Sequence, residues 1–156
     1  MQTFVPELSY SYIAMSLDDK RLFKQAVETK QIYLSLTVDE YGWKNHPAVK
    51  MWAGCEEQLL LYGWEMIVHA VSIRNFNSPV LFPWYEERIS VLRQFSDSDY
   101  PMPFWWGDNR VHASHRAMLF RKDPDHYQQY VTEGEAISEY FWPTDNVARI
   151  ASVGAD

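Results

Sequence analysis

The sequence predicts an all-α fold, a compact single-domain helical bundle with long loops and a central buried helix, on three observations. Apolar residues recur at three-to-four-residue spacing through 17–36 and 47–74, no stretch alternates with the period of two that a half-buried strand needs, and proline and glycine gather between the periodic stretches. With 156 residues, 47% of them hydrophobic, the chain is long enough to bury a core without a metal or disulfide. No apolar run approaches the roughly 18–20 residues of a membrane span, so no membrane partner is expected. The start MQTFVPELSYSY lacks a leader pattern, and the lone Cys55 has no internal disulfide partner, which points to the cytoplasm.

The first helix is expected near 17–36, where Ser16 and Asp19 have capping-box spacing and acids crowd the start. Leu22, Phe23, Ala26, Tyr33 and Leu34 form its apolar stripe, with Arg21, Lys24, Gln25 and Glu28 sharing a polar side. After the turn-rich DEYGWKNHP, Pro47 suits the first position of a helix running to Arg74, about 40 Å at 1.5 Å per residue. Gly54 and Gly63 cost that helix propensity and are read as close-packing positions. Loops occupy 75–107 around a short helix at 84–95. Asp108 caps a helix over 108–122, and Asp123-Pro124 opens another through DHYQQYV. The domain is expected to end at 131, with 132–156 as an acidic extension whose last residues, TDNVARIASVGAD, form a partly ordered tail.

A net charge of -7 argues against a general nucleic-acid coat, because phosphate contacts supply most non-specific affinity. The charge is uneven, however. Arg110, Arg116, Arg121 and Lys122 lie in a stretch without an acid, 110–122, whereas 123–156 carries seven acids and one arginine. Asp108, His112 and His115 share a helical face and read as a metal triad, as histidines that simply cap or pack, or, with Arg116, as phosphate contacts; the acid-free run favours phosphate. Trp105 and Trp106 sit between prolines and a glycine, where they either pack on the core or present faces to a flipped nucleotide. His46 either caps the helix opened by Pro47 or enters a site. Glu56 falls on the apolar stripe of the long helix, as a buried paired acid or a second active-site carboxylate. Cys55 reads as a small core residue, since nothing in the sequence marks an activating partner.

Four segments carry a resemblance that covers most of the chain: MQTF at 1–4, LDDKRLFKQAVETKQI at 17–32, GWKNHPAVKMWAG at 42–54 and WWGDNRVHASHRAMLFRKDPDHYQQY at 105–130. The chain resembles the small helical pyrimidine-dimer DNA glycosylases and AP lyases, the endonuclease V-like family, and looks closest to an uncharacterised bacterial branch. The resemblance implies a double-stranded DNA partner with a damaged or modified base, and neither metal nor organic cofactor. It implies that the Met1 amine attacks the sugar C1′ and that Glu28 on the first helix assists. An α-amine is a weaker base than lysine, so more of it is uncharged near neutrality and can form an imine. A carboxylate can stabilise the cationic sugar and then move the proton that opens the strand. On the residues alone, Glu28 reads instead as a solvated partner of Lys24.

Tyr127 and Tyr130 match the family's closing aromatics, and Arg21, Lys24, His46, Arg110, His112, His115, Arg116, Lys122, Trp105 and Trp106 complete the expected DNA face. The chain departs from the well-studied enzymes at Val27 and Gln31, where they carry arginine, and at Gln2, whose bulk should keep Met1 in place. The functional expectation is a DNA glycosylase, with AP lyase activity as a second step, that flips a pyrimidine nucleotide into a helical cleft. The alternative is a non-catalytic module that binds a nucleotide or protein on the same fold.

Overall fold

The computed structural model describes residues 1–96 and 99–143, and the regular elements among them are all helical. Helix α1 (Tyr10–Ser16) is capped by the Ser9 hydroxyl, which accepts from the Tyr12 amide. Its seven residues are too few to register as a periodic stripe, and the sequence reading has no helix there. Helix α2 (Asp19–Thr37) starts as expected, but its cap is Asp18, not Ser16: the Asp18 carboxylate accepts from the Arg21 amide. The Ser16 hydroxyl instead bonds back to the Ile13 carbonyl.

The expected 40 Å helix is two helices. Helix α3 (Pro47–Trp52) and helix α4 (Glu56–Ser72) are separated at Gly54, whose φ of 81° lies in the left-handed region that breaks a right-handed helix. A side chain at Gly54 would meet nothing within 4 Å, so it is the dihedral and not lack of room that calls for glycine. Glu56, the undecided acid, closes this corner by accepting from the Gly54 amide at 3.0 Å and is only half-buried. Cys55 is buried beside it with its thiol pKa pushed up by burial, as suits a core residue.

Helix α4 is the central buried element. It packs against α2, α1 and helix α5 (Leu81–Leu92), which begins three residues earlier than expected. Helix α6 (Asn109–Lys122) is capped by Asp108, and helix α7 (Pro124–Tyr127) by Asp123, before a 3-10 turn at Gln128–Tyr130. A last short helix, α8 (Glu133–Ala136), has a full capping box between Thr132 and Glu135 and packs on α6. The TDNVARIASVGAD tail lies outside the described residues. No helix among the described residues is long and apolar enough to cross a membrane.

At Gly63 helix α4 meets side chains of both α2 and α5. A Cβ there would stand 2.5 Å from the Tyr85 hydroxyl and 2.6 Å from Thr29 Cγ2, and that hydroxyl is buried and held by the Ala26 carbonyl at 2.6 Å. Alanine would gain helix propensity of about 1 kcal/mol, but overpacking a tight core costs about 1–3 kcal/mol. Gly63→Ala is therefore expected to lower the urea midpoint of unfolding despite the better helix former; a raised midpoint would show that the contact yields easily.

Candidate active site

The first residues form no helix, yet Gln2, Thr3, Phe4 and Val5 are all buried. A buried extended segment has no ladder of its own to satisfy its backbone, so neighbouring helices must supply partners. They do so residue by residue. The Gln2 amide donates to Glu28 Oε2 at 3.1 Å, and the Phe4 amide to Gln25 Oε1 at 2.7 Å, both from α2. The Tyr62 hydroxyl of α4 donates to the Phe4 carbonyl at 2.7 Å. From α6, His115 Nδ1 accepts from the Val5 amide, His112 Nδ1 donates to the Val5 carbonyl, and Arg116 donates to the Pro6 carbonyl. The Trp52 indole of α3 donates to the Thr3 hydroxyl.

This anchoring delivers Met1 to a cavity of about 340 Å³. Glu28 lines it, and so do Lys20, Arg21 and Lys24 one or two turns up α2, His46 at the cap of α3, Lys122 at the end of α6, and Tyr140 and Trp142 from the C-terminal segment. Glu28 pairs with Lys24 Nζ at 3.6 Å as the residues alone suggest, but it is not solvated: it is 91% buried at the cavity wall. His46 likewise does both things weighed for it. Its Nδ1 accepts from the Ala48 amide as the cap, and the ring lines the cavity. Its pKa is lowered, first by partial burial and then by the N-terminal ammonium, against the opposing pull of Glu28. The ring is therefore mainly neutral at pH 7 and lies within the field of both groups.

The structure brings Met1, Glu28, Arg21, Lys24, His46 and Lys122 together and places the other expected DNA contacts elsewhere. His112 and His115 are buried in the core, so they cannot reach a phosphate, and they form no metal triad with Asp108. Both nitrogens of His112 are engaged, with the Val5 carbonyl and the Gly107 amide, while Asp108 is occupied by Arg110 and by capping α6. Trp105 is buried with its indole donating to the Met51 carbonyl, and Trp106 packs edge-on to Tyr10 and His112. Neither lines the cavity that holds Met1 and Glu28. Tyr127 is buried with its hydroxyl donating to Asp18, and Tyr130 lies beside it, away from the cavity.

The expected basic face of α6 is largely neutralised by its own chain. Arg116 is gripped at Nε and Nη2 by Glu135, Arg121 pairs with Glu139, and Arg110 with Asp108, which leaves Lys122 to face the cavity. What the sequence reading missed is Lys20, Tyr140 and Trp142. Lysine 20 was visible as a neighbour of Arg21 and Lys24 on α2; no local signal marks two aromatics in an acidic extension as cavity residues.

The family model for pyrimidine dimer DNA glycosylases matches residues 1–81, just over half of the chain. The chain belongs to the pyrimidine dimer DNA glycosylase family. Its substrate is therefore DNA, and the match spans Met1, the cationic turns of α2, Glu28 and His46, whereas Lys122, Tyr140 and Trp142 lie beyond it. No curated protein and no solved structure matches the chain.

The histidine clamp on the chain start predicts a pH dependence of stability. Burial holds His115 neutral with a pKa of about 3, below the ordinary 6.5. The unfolded chain then binds the proton more readily, so stability is full above pH 6.5 and is lost as pH falls towards 3. At about 1.4 kcal/mol per unit, unfolding at pH 5 should be easier by about 2 kcal/mol than at pH 7. Urea unfolding at the two pH values is expected to show that loss, and His115→Gln, though less stable at pH 7, should flatten it.

Proposed function

We propose that this protein is a DNA glycosylase with AP lyase activity that removes a damaged or modified pyrimidine through the Met1 amine and Glu28. The observation that carries the proposal is the 3.1 Å bond from the Gln2 amide to Glu28 Oε2, which fixes the N-terminal residue beside the carboxylate in one cavity. The uncharged amine attacks C1′ as the bond from C1′ to the base breaks, and the base departs with a proton. Loss of a further proton from nitrogen and opening of the C1′–O4′ bond give an imine. Glu28 stabilises the cationic sugar and then accepts a C2′ proton as the 3′ phosphate leaves; water hydrolyses the imine and frees the amine.

Local charge supports the same reading in a chain of net charge -7. Lys20, Arg21, Lys24 and Lys122 stand around one cavity, where the phosphates flanking a flipped nucleotide would lie. Arginine 21 is held by Asp18 at 3.1 Å and reaches the Lys122 carbonyl, so it also ties α2 to the end of α6. At Val27, where the well-studied enzymes carry arginine, the side chain packs on the core, and the cationic work falls to the turns above it.

Borohydride with duplex DNA bearing an abasic site should trap a covalent adduct through Met1, located by mass spectrometry of the digested chain. Glu28→Gln is expected to cut base release or strand cleavage by about a hundredfold or more, the scale of a lost acid-base group, with a thermal midpoint measured alongside. Turnover at the parent rate removes Glu28 from the mechanism, and tight DNA binding without any adduct or base release favours the non-catalytic module.

Salt dependence separates cavity cations from structural ones. Lys24→Ala and Lys122→Ala should each lower the magnitude of the salt slope of duplex binding by about one unit. Arg116→Ala, by contrast, should keep the parent slope and lose stability, because its partners are Glu135 and the Pro6 carbonyl.

A further inference from the structure

We propose that Tyr140 and Trp142 form the platform on which one extruded pyrimidine base stacks, with the Gln2 carboxamide reading its edge; the proposal rests on the glycosylase reading above. The two rings are stacked on each other, 5.1 Å between centroids and 28° between planes, and both line the cavity that holds Met1 and Glu28. Each is braced edge-on by a histidine, Trp142 by His46 at 6.3 Å and Tyr140 by His115 at 6.2 Å. A braced, half-buried aromatic pair in a polar cavity offers a flat, rigid face at little entropic cost, and every nucleobase has a π-face to lay against it.

The polar complement is Gln2. Its side chain is 6% exposed at the cavity wall; one end of the amide lies 3.3 Å from His115 Nε2, and the other is buried with no hydrogen-bond partner. A buried polar group without a partner costs stability unless something else pairs with it. With one end of the carboxamide engaged by His115, the unpaired end is left to meet a single polar group on the edge of a pyrimidine. The cavity, about 340 Å³, is at the small end of ligand sites, and it has room for one base.

The division along the chain fits this role. Met1, Gln2 and Glu28 lie inside the stretch shared with the family, and Tyr140 and Trp142 lie outside it. The groups proposed to react therefore lie within the matched range, and the wall proposed to face the base comes from the C-terminal segment beyond it.

The test compares glycosyl-bond cleavage with strand cleavage where no base is present. Single-turnover cleavage of the glycosyl bond is measured on duplexes bearing a cis-syn thymine dimer or a thymine glycol, and strand cleavage on the same duplex with a preformed abasic site. Trp142→Ala, and Gln2→Met, which keeps the bulk that retains Met1, should lower the ratio of glycosyl to abasic cleavage by about tenfold to a hundredfold, the scale of a lost base stack, with Trp142→Phe recovering most of it. An unchanged ratio in both variants, or a parent that cleaves the abasic site but neither glycosyl bond, overturns the platform and leaves the lyase chemistry standing. A parent inactive on all three duplexes overturns the glycosylase reading itself and the platform with it. If Trp142→Ala does not fold, the ratio for Gln2→Met decides.

Discussion

A buried, non-helical chain start must have every amide and carbonyl matched from outside, and the rest of this molecule is arranged to meet that demand. The residues that answer it come from α2, α3, α4 and α6, so four helices are tied to one extended segment and thereby to each other. Most of these bonds run between groups more than twenty residues apart, and a half-satisfied network would cost more than an apolar core. The outcome is a terminus held as firmly as a core strand. That rigidity is what allows an amine, ordinarily the most mobile group of a chain, to be brought to a carboxylate.

Charge follows the same economy of placement. The chain is acidic as a whole, but its acids are spent on its own arginines: Glu135 on Arg116, Glu139 on Arg121, Asp108 on Arg110. Glu135 is held below the ordinary carboxylate range chiefly by its hydrogen bonds from Arg116, as expected of a pair formed at the interface between α8 and α6. Glu135 and Glu139 of the acidic extension therefore form a structural counter-face to α6. The cations that remain over the cavity are mostly on the first turns of α2, next to Glu28, and there a local positive field coexists with a negative total.

The histidines show how far environment separates residues of one type. His115, fully buried, serves as an acceptor for a backbone amide and stays neutral. His46, at a helix cap and cavity edge, keeps one nitrogen on the backbone and its ring against Trp43 and Trp142. Trp43 itself stands at a φ of 71°, a conformation rare for so bulky a side chain, in the turn that brings His46 to the cavity.

By itself the sequence determined the helical class, the polar side of α2 with Glu28 among its cations, the caps Asp108 and Asp123, and the resemblance that the family match bears out. These are local or patterned signals: caps act within a turn, and a stripe repeats along one helix. Only the tertiary structure decided that Gly54 divides the long helix, because a positive φ is a property of the corner between α3 and α4 and not of glycine alone. It also decided that His112, His115 and Trp105 belong to the core and Arg116 to an ion pair, although each looks like a DNA contact in isolation. Their partners, Val5, Met51, Pro6 and Glu135, lie on other segments, and no spacing rule connects them. Tyr140 and Trp142 were illegible for the same reason: a residue lines a cavity by virtue of what folds against it, and hydrophobic periodicity carries no information about that meeting.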